Sequence, residues 1–363
     1  MTGRGGVGTG STPVIAGCRH GPAAGVGCVS LLSVGTSRSV AVMSSAGLRP
    51  PPSETHLVPP PWTPLLSASR WWVRHGWGLG LKRMMLREWL DVGLRQNPCR
   101  DRVVRTRYGF RVRVATTEDL IQRSILVHGC WEPQVSAFIA ARLTPGSGLV
   151  DIGANLGYYS LLAARLVGPE GMVVAVEPAP DMHGALRANI ALNGFDHVRV
   201  VRCAITEEPG EVRLFVPHAG NLGATSLIRP DRHEAELRVP GLPMTEAVTP
   251  EELRRARIIK IDVEGAEGTV LAGLVPLLDE LPADCEIVVE VSPDRLAACG
   301  TTPDEVLAPF LAHGLHPYRL VNSYMPEDYP AMLRQPRPPV RVRGPVTEQM
   351  DLVLSRVDAD ALT

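Results

Sequence analysis

The stretch Leu149-Val-Asp-Ile-Gly-Ala-Asn-Leu-Gly-Tyr158 decides the fold of this chain. It opens with a mostly apolar run that is typical of a buried strand, and it predicts a tight turn into a helix that starts near Tyr158. Gly153, Asn155 and Gly157 let the backbone turn sharply and let a ligand approach it closely. A strand, a glycine-rich turn and a helix in this order indicate a nucleotide-binding α/β unit.

An acidic residue closes the next predicted strand. Glu177 ends the apolar run in Val173-Val-Ala-Val-Glu-Pro178, twenty residues beyond Gly157. This is the spacing of a carboxylate that binds a ribose, and such a group can accept hydrogen bonds from both hydroxyls of an adenosine ribose. The alternative is a purely structural turn with Glu177 as a solvated strand end.

Two cofactors fit such a unit, and the details of the loop favour one of them. A dinucleotide fingerprint needs G-x-G-x-x-G to hold a pyrophosphate, but Asn155 and Tyr158 occupy the second and third glycine positions. Asp151 would repel a pyrophosphate and attract the ammonium group of a methionine moiety. S-adenosylmethionine (SAM) is therefore favoured over NAD, and a nicotinamide-dependent oxidoreductase stays as the competing function, with a non-catalytic SAM-binding module as a third.

Strands and helices alternate beyond this unit. Apolar runs recur at residues 172–176, 198–205, 258–263 and 287–291, and helical stretches start near Tyr158, Pro180, Ala266 and Thr302. Such strands, each followed by a helix, predict a parallel sheet covered on both faces. Two further strand-like runs, 316–321 and 350–356, have no predicted helix between them and should pair antiparallel at the sheet edge. The sequence predicts a doubly wound, mostly parallel seven-stranded α/β sheet with an antiparallel terminal strand.

Composition divides the chain into five segments. Residues 1–65 are rich in Gly, Ser, Thr and Pro and predict a disordered low-complexity arm, either genuine or the result of a start codon assigned upstream of Met43. Residues 66–106 predict a helical basic-aromatic extension that packs on the next domain, with a membrane surface as the alternative partner. The rest divides into a strand-and-helix cap (107–145), the catalytic domain (146–357) and a tail (358–363).

Charge and cysteine content exclude several classes of protein. The formal net charge is -1, which argues against nucleic-acid binding driven by net charge. The seven cysteines show no metal-ligand spacing, so neither a disulfide framework nor a metal site is expected. The most apolar stretch, residues 23–43, is interrupted by glycines, serines and Arg38, so no transmembrane segment is predicted. We expect a cytoplasmic enzyme, and the sequence does not indicate its oligomeric state.

A second polar constellation follows a third strand. Ile258-Ile-Lys-Ile-Asp-Val-Glu-Gly-Ala-Glu267 reads as a buried strand that ends in polar groups at the edge where open α/β sheets bind ligands. Lys260, Asp262 and Glu264 share one side of this strand end by alternation. Their carboxylates would be favourable near a sulfonium cation, and one could act as a general base. The alternative is that they cap the following helix.

These motifs resemble the FkbM family of SAM-dependent methyltransferases. The resemblance is carried by Asp151-Ile-Gly-Ala-Asn-Leu-Gly, by Val176-Glu-Pro178 and most specifically by Lys260-Ile-Asp-Val-Glu-Gly-Ala-Glu267. It extends from about residue 107 to residue 355 and also includes Glu132-Pro133. It implies a class I methyltransferase (Rossmann-like) fold, SAM as the cofactor, and methyl transfer to a hydroxyl oxygen of a small-molecule natural product or a glycan.

The resemblance also implies roles for individual residues. Cofactor binding is assigned to Asp151, Gly153, Asn155, Gly157 and Glu177. Asp262 and Glu264 are assigned to the methyl-transfer pocket as catalytic residues. Outside the resemblance, weaker candidates for a base are His128, His218, His233 and Glu290, and residues 220–226 are a candidate wall of the acceptor site.

Overall fold

The computed structural model of the chain describes residues 63–96, 98, 100–216 and 235–363. Nearly all of the predicted low-complexity arm lies outside these residues. His218, His233 and the loop 220–226 lie outside them as well. Within the described ranges, no helix combines the length and the apolar character that crossing a membrane requires.

The N-terminal part consists of helices around one β-hairpin. In order these are α1 (Thr63–His75), α2 (Leu79–Met85), α3 (Asp91–Gln96), β1 (Arg100–Arg105), β2 (Arg111–Thr116), α4 (Leu120–His128) and α5 (Pro133–Arg142), and a π-helical turn, Leu86–Leu90, joins α2 to α3. β1 pairs antiparallel with β2. The strand predicted for the cap that begins at residue 107 is thus the second strand of a hairpin, whose first strand lies inside the segment that was predicted to be helical.

Two arginines attach α1 to the end of α4. Arg74 donates from Nε to the carbonyl of Val127 at 2.9 Å and from Nη2 to the carbonyl of Leu126 at 2.8 Å. Arg70 donates from Nε to the same Leu126 carbonyl, also at 2.8 Å. The last carbonyls of a helix have no partner within the helix, and cations are favourable there. These contacts fix the extension to the rest of the chain.

Most of the tryptophans of the extension do not take part in its packing on the rest of the chain. Trp72 packs partly against the core, but Trp71, Trp77 and Trp89 expose 63%, 89% and 74% of their surfaces. A basic side chain can satisfy the end of a helix from the surface, whereas an indole is buried only where a matching apolar surface exists. The arginines therefore contribute the specific contacts, and most of the indoles remain on the surface.

The rest of the described chain alternates strands and helices. In order these are β3 (Gly148–Ile152), α6 (Tyr158–Val167), β4 (Met172–Val176), α7 (Pro180–Asn193), β5 (Val198–Val201), β6 (Ala204–Ile205), β7 (Gly210–Val216), β8 (Ala235–Leu242), α8 (Met244–Ala247), α9 (Pro250–Arg255), β9 (Ala256–Ile261), α10 (Glu267–Leu274), β10 (Glu286–Val291), α11 (Pro293–Ala298), α12 (Pro303–Ala312), β11 (His316–Leu320), α13 (Tyr329–Arg334), β12 (Val340–Arg341) and β13 (Met350–Ser355). A 3₁₀ helix, Val275–Glu280, follows α10.

The large sheet has the strand order β12-β11-β13-β10-β9-β3-β4-β5. The five strands from β10 to β5 in this order are parallel, and β13 pairs antiparallel with β10 and with β11. The doubly wound, mostly parallel α/β sheet and its antiparallel terminal pair are confirmed. Two details differ from the prediction. The two-residue strand β12 extends the sheet to eight strands, and α13 lies in the segment that was predicted to lack a helix.

Helices cover both faces of this sheet. Leu149, Val173 and Ile258 belong to one hydrophobic cluster, together with residues of α4, α5 and α6. Their chain neighbours Val150 and Ile259 belong to a second cluster, together with residues of α9, α10 and α12. Successive side chains of a strand point to opposite faces, so the near-continuous apolar strands fill two cores at once.

Helices α9 and α12 each begin with a capping box. The side chains of Thr249 and Thr302 each accept a hydrogen bond from the backbone N–H of a glutamate three residues later. The carboxylate of that glutamate accepts a hydrogen bond from the backbone N–H of the threonine. The predicted tail, in contrast, is packed on the sheet edge. Leu362 is buried, and its N–H donates to the carbonyl of Pro339 at 2.9 Å.

Candidate active site

A cavity of about 280 Å³ lies at the carboxyl ends of the parallel strands. Open α/β sheets bind their ligands at this edge. The charged residues of its lining are Glu132, Glu177, Asp262, Glu264, Glu290, Lys260 and Arg295. We call it the acidic cavity, because five carboxylates face two cations. A pyrophosphate would be repelled by this excess of negative charge, whereas a cationic ligand would be attracted.

The loop after β3 forms one wall. Gly153 and Asn155 line the cavity, and Gly157 does not. Gly153 has a φ of 86°, and a Cβ there would lie 1.8 Å from the carbonyl oxygen of Asp262. A Cβ on Gly157, which has a φ of 94°, would lie 2.5 Å from Cδ1 of Leu186. Both glycines are therefore required by the packing of the chain itself, in addition to any ligand.

Glu177 connects β4 to this loop. Its Oε2 accepts the N–H of Asn155 at 2.7 Å, and its Oε1 accepts the N–H of Ala179 at 2.8 Å. Each carboxylate oxygen has a second lone pair, so Glu177 can still accept hydrogen bonds from the cavity. Burial raises the pKa of Glu177 to about 7, although the two backbone hydrogen bonds oppose this rise.

Asp151 lies behind the cavity and not in its wall. Its Oδ2 accepts the hydroxyl of Ser160 at 2.6 Å, and its Oδ1 has no hydrogen-bond partner among the described residues. Burial raises the pKa of Asp151, and the ammonium of Lys260, opposite Asp151 in the β3–β9 register, lowers it in part. Asp151 is thus the one carboxylate predicted to contact the cofactor that the structure keeps out of the cavity lining.

Lys260 and Asp262 form an ion pair inside the site. Nζ of Lys260 lies 2.9 Å from Oδ2 of Asp262 and 4.6 Å from the ring centroid of Tyr159. Burial lowers the pKa of Lys260, but the carboxylates of Asp262, Asp151 and Glu132 outweigh this and raise it overall. Lys260 is consequently a permanent cation, and the Asp262 side chain, which is 36% exposed, reaches the open part of the cavity.

Glu132 enters the site from the start of α5. Its carboxylate accepts the hydroxyl of Tyr159. Burial raises the pKa of Glu132 to about 7, and the negative charge of Asp262 acts in the same direction. Glu132 was predicted only as part of the family pattern, because its position ahead of a proline gives no sign that it lies near Lys260 and Asp262.

Arg295 of α11 forms ion pairs with three carboxylates. Nη2 lies 2.5 Å from Oε2 of Glu264, and Nη1 lies 2.7 Å from Oε2 of Glu290 and 3.8 Å from Oε1 of Glu267. Burial raises the pKa of Glu264 to about 8, with Asp262 adding to the rise and Arg295 opposing it. Arg295 was not predicted as a site residue, because the spacing of the residues around it offers no signal for these contacts.

Backbone conformation also distinguishes this site. Asp101, Glu132, Asn155 and Glu264 are the non-glycine residues with positive φ in the described ranges, and the last three line the acidic cavity. Such conformations cost free energy for residues with a Cβ, and they cluster at functional sites. The concentration of three of them around one cavity marks it as the functional region of the molecule.

The capping alternative for Asp262 and Glu264 does not match the contacts. Helix α10 follows Ala266, which has no side-chain cap. The turn before it is satisfied by Glu267, whose two carboxylate oxygens accept the N–H of Gly265 at 3.0 and 2.9 Å. Asp262 and Glu264 instead line the cavity and pair with cations, as a role in the pocket requires.

Of the two weaker candidates for a base that the structure describes, one lies in the acidic cavity and one does not. His128 lies outside the acidic cavity, and burial lowers its pKa to about 3, so its proposed role as a base is wrong. Glu290 does line the acidic cavity. It accepts hydrogen bonds from Nε2 of Gln349 at 2.6 Å and from the hydroxyl of Tyr324 at 3.2 Å. Both partners come from the segment between β11 and β13 and also line the cavity.

Known proteins with similar sequences are methyltransferases. The family profile described as methyltransferase FkbM domain matches residues 151–315. The 31-O-demethyl-FK506 methyltransferase FkbM of Streptomyces tacrolimicus is 31% identical over 201 residues, which cover 47% of this chain and 74% of that protein. Methyltransferase 1 of Beauveria bassiana is 26% identical over 175 residues, which cover 43% of this chain and 67% of that protein.

These similarities, together with the sheet and its acidic cavity, define the class: the protein is a SAM-dependent methyltransferase, and its cofactor is S-adenosyl-L-methionine. Within that class, the chain belongs to the FkbM methyltransferase family. The resemblance seen in the sequence motifs is thereby confirmed, and with it the class I methyltransferase fold.

Solved methyltransferase structures match more of the chain at lower identity. The SAM-dependent O-methyltransferase from Thermotoga maritima is 14% identical and covers 72% of this chain and 79% of its own, with a TM-score of 0.34. The precorrin-6y C5,15-methyltransferase from Geobacter metallireducens is 15% identical and covers 61% and 88%, with a TM-score of 0.35. Scores this low add no argument, and the family assignment rests on the sequence relatives.

Proposed function

We propose that this protein transfers the methyl group of SAM to a hydroxyl oxygen of a small-molecule natural product or a sugar. The observation that carries the proposal is one cavity that has Glu177 on its loop side and Asp262 and Glu264 on its β9 side. A cofactor carboxylate and candidate acceptor carboxylates therefore border the same space. The name of the Streptomyces tacrolimicus relative, a 31-O-demethyl-FK506 methyltransferase, supports oxygen as the acceptor atom.

The loop side of the cavity has groups that fit SAM. Glu177 would accept the two ribose hydroxyls with its remaining lone pairs. Apolar residues beyond it offer walls for the adenine ring: Pro178, Met182, Ala204, Ile205 and Leu214. Gly153 and Asn155 would contribute the backbone of the loop. The excess of carboxylates over cations is favourable for a sulfonium ion and unfavourable for the pyrophosphate of NAD.

We assign Asp151 and Gly157 positioning roles. Asp151 bonds to Ser160 of α6 and lies opposite Lys260 in the neighbouring strand, so it would orient both elements behind the cofactor. Gly157 is the N-cap of α6 and leaves room for Leu186 of α7. Both residues would act on the cofactor through the loop between them and not by contact.

The β9 side would hold the acceptor. Bound SAM supplies an activated methyl group, so the tasks left to the protein are to place the acceptor hydroxyl in line and to receive its proton. We assign the proton to Asp262, because this carboxylate reaches the open cavity. Glu264, held by Arg295, would orient the hydroxyl by a hydrogen bond. Asp262 is thus the proposed base, and Glu264 is the proposed acceptor ligand.

The proposal is tested with radiolabelled SAM and a panel of hydroxylated small molecules and sugars. We expect acceptor-dependent formation of S-adenosylhomocysteine and a product that carries the label on oxygen. The matched control is each acceptor with the same hydroxyl already methylated, which should give no product. Labelling of the premethylated acceptor, or of a nitrogen or carbon atom, would contradict O-methylation while leaving methyl transfer itself in place.

A further inference from the structure

A second cavity, of about 270 Å³, lies between the N-terminal helices and α13. All of its ionisable lining residues are basic: Arg74, Lys82, Arg107, His128 and Arg334. No carboxylate from the described part of the chain lines it, and it shares no lining residue with the acidic cavity. We call it the basic cavity. Neither the family assignment nor methyl transfer gives it a role.

The described part of the chain does not neutralise the charges of the basic cavity. Within residues 63–96, 100–216 and 235–363, the side chains of Lys82, Arg107 and Arg334 form no hydrogen bond and no ion pair. Three cations thus converge on one space without a carboxylate, whereas Lys260 and Arg295 of the acidic cavity are both paired.

The inner wall of the basic cavity is buried. The side chain of His128 is 2% exposed, and its Nε2 has no hydrogen-bond partner among the described residues. Lys82 is 7% exposed, and its Nζ lies 6.0 Å from the ring centroid of Trp72. A buried imidazole nitrogen without a partner is unfavourable, and the Lys82 ammonium, at the end of a largely buried side chain, has no carboxylate beside it among the described residues. A ligand that accepts hydrogen bonds would satisfy both.

The cations of this cavity also repel one another. Burial lowers the pKa of Lys82, and the charges of Arg107 and Arg334 lower it further. Burial likewise lowers the pKa of Arg74 to about 10, with contributions from Arg70 and Arg107. Folding therefore brings together charges that would be more stable apart. An anion placed between them would convert this repulsion into attraction.

We propose that the basic cavity binds a phosphate group. Phosphate oxygens accept several charge-assisted hydrogen bonds at once, and the planar guanidinium groups of Arg107 and Arg334 suit their geometry. Arg74 adds positive charge, because its Nε and Nη2 already donate to carbonyls at the end of α4. Lys82 adds a point charge from the buried side, and His128 adds a ring nitrogen. The cavity is larger than one phosphate requires, so it leaves room for the rest of a phosphate ester or for a pyrophosphate.

Two sources supply such a group, a soluble phosphate ester and a phospholipid headgroup. Trp77 lines the cavity and is almost fully exposed. Trp71, Leu81 and Met84 of the same helical extension are exposed as well. Exposed aromatic and aliphatic side chains next to basic residues are typical of proteins that bind at an anionic membrane interface. The shared chemistry is the phosphate, and the experiment has to separate its two sources.

The test uses the full chain with two substitutions, Lys82→Met and Arg107→Gln. The matched control is Arg102→Gln, because Arg102 is an exposed arginine of β1 outside both cavities. We expect inorganic pyrophosphate to raise the Tm of the wild type and of Arg102→Gln, and its affinity to fall at least about tenfold in the other two variants. Without pyrophosphate, those two variants should melt at or above the wild-type temperature, because each removes a repulsion.

Vesicle sedimentation separates the two sources. Binding to phosphatidylcholine vesicles that contain phosphatidylglycerol, displaced by pyrophosphate and lost in Lys82→Met and Arg107→Gln, would identify a phospholipid headgroup. Pyrophosphate binding without such vesicle binding would identify a soluble ester. The proposal is overturned if pyrophosphate leaves the wild type unchanged, or if both variants bind it as tightly as the wild type. SAM affinity, measured in parallel, should stay constant in all four proteins and reports intact folding.

Discussion

The acidic and the basic cavity differ in the sign of the unbalanced charge on their lining side chains. In the acidic cavity each cation has a carboxylate beside it, Lys260 with Asp262 and Arg295 with Glu264, and a surplus of acids remains. In the basic cavity, the described chain supplies cations alone. The first site is therefore complete except for a cationic ligand, and the second needs an anion from outside. The sign of the unbalanced charge indicates the ligand class of each cavity.

The contrast between the two cavities would be refuted most clearly if methyl transfer did not depend on the carboxylates of the acidic cavity. We expect Asp262→Asn to lower single-turnover methyl transfer about 100-fold or more, because a general base is lost, and Glu264→Gln to lower it less. Both amides keep the shape of the side chain, so SAM affinity should change much less than turnover. Glu251→Gln, at an exposed position of α9, is the control. Wild-type turnover in both amide variants would remove these residues from the mechanism.

The cofactor side of the acidic cavity is tested by Glu177→Ala. Loss of a pair of charge-assisted hydrogen bonds should cost about 2 to 3 kcal/mol, which is roughly 30- to 150-fold in SAM affinity measured by calorimetry. Glu170→Ala, at an exposed position before β4, should bind SAM normally. Because Glu177 also accepts two backbone N–H groups, thermal unfolding of the variant is recorded alongside. Unchanged affinity in the folded variant would refute the ribose assignment.

The pH dependence of the apo protein should show the excess of buried acids. The pKa of Glu177 is raised to about 7 in the folded protein from an ordinary value of 4.5, so folding takes up protons between these values. Stability should accordingly fall as the pH rises from about 4.5 to 7, by at most about 3 kcal/mol for this one group.

SAM affinity should change with pH in the opposite direction. Ribose hydroxyls donate to the carboxylate form of Glu177, so affinity should decrease below pH 7 by up to about tenfold per unit. Glu177→Gln should flatten both the stability profile and the affinity profile, which are measured by chemical denaturation and calorimetry. Profiles that are identical in this variant and the wild type would show that Glu177 does not titrate as its burial predicts.

The smallest effect is expected at the N-terminus. The sequence predicts a disordered arm there, so we expect deletion of residues 1–50 to leave the Tm unchanged to within about a degree. SAM affinity and the response to pyrophosphate should also stay the same. A Tm several degrees lower would show that the arm supports one of the cavities, and a lost pyrophosphate response would assign it to the basic one.

The sequence predicted those parts of the acidic cavity that follow directly from strands. Glu177 and Asp262 come immediately after apolar runs, and the carboxyl ends of parallel strands meet at one edge, so their proximity could be inferred. Arg295, Tyr324 and Gln349 could not be placed in this way. They come from a helix and a long connection, whose positions depend on tertiary packing and not on any local period.

Gly153 illustrates a different limit of the sequence. Its special conformation was predicted, but for the approach of a ligand, while the structure shows that the carbonyl of Asp262 occupies the space of a side chain. The indoles of Trp71 and Trp77 show the same limit. Whether an indole is buried depends on apolar surfaces elsewhere in the chain, and both of these remain exposed. Local patterns predict backbone geometry well and predict the partner of a residue poorly.

The segment between β11 and β13 carries Tyr324 and Gln349 to the acidic cavity and Arg334 to the basic one. Apart from the short strand β12, it lies outside the sheet, and it is held in place by Tyr329 and Val346, which are buried in the two cores. A chimaera that takes this segment from a relative would change part of the lining of both cavities in one step, while the loop after β3 would keep its sequence.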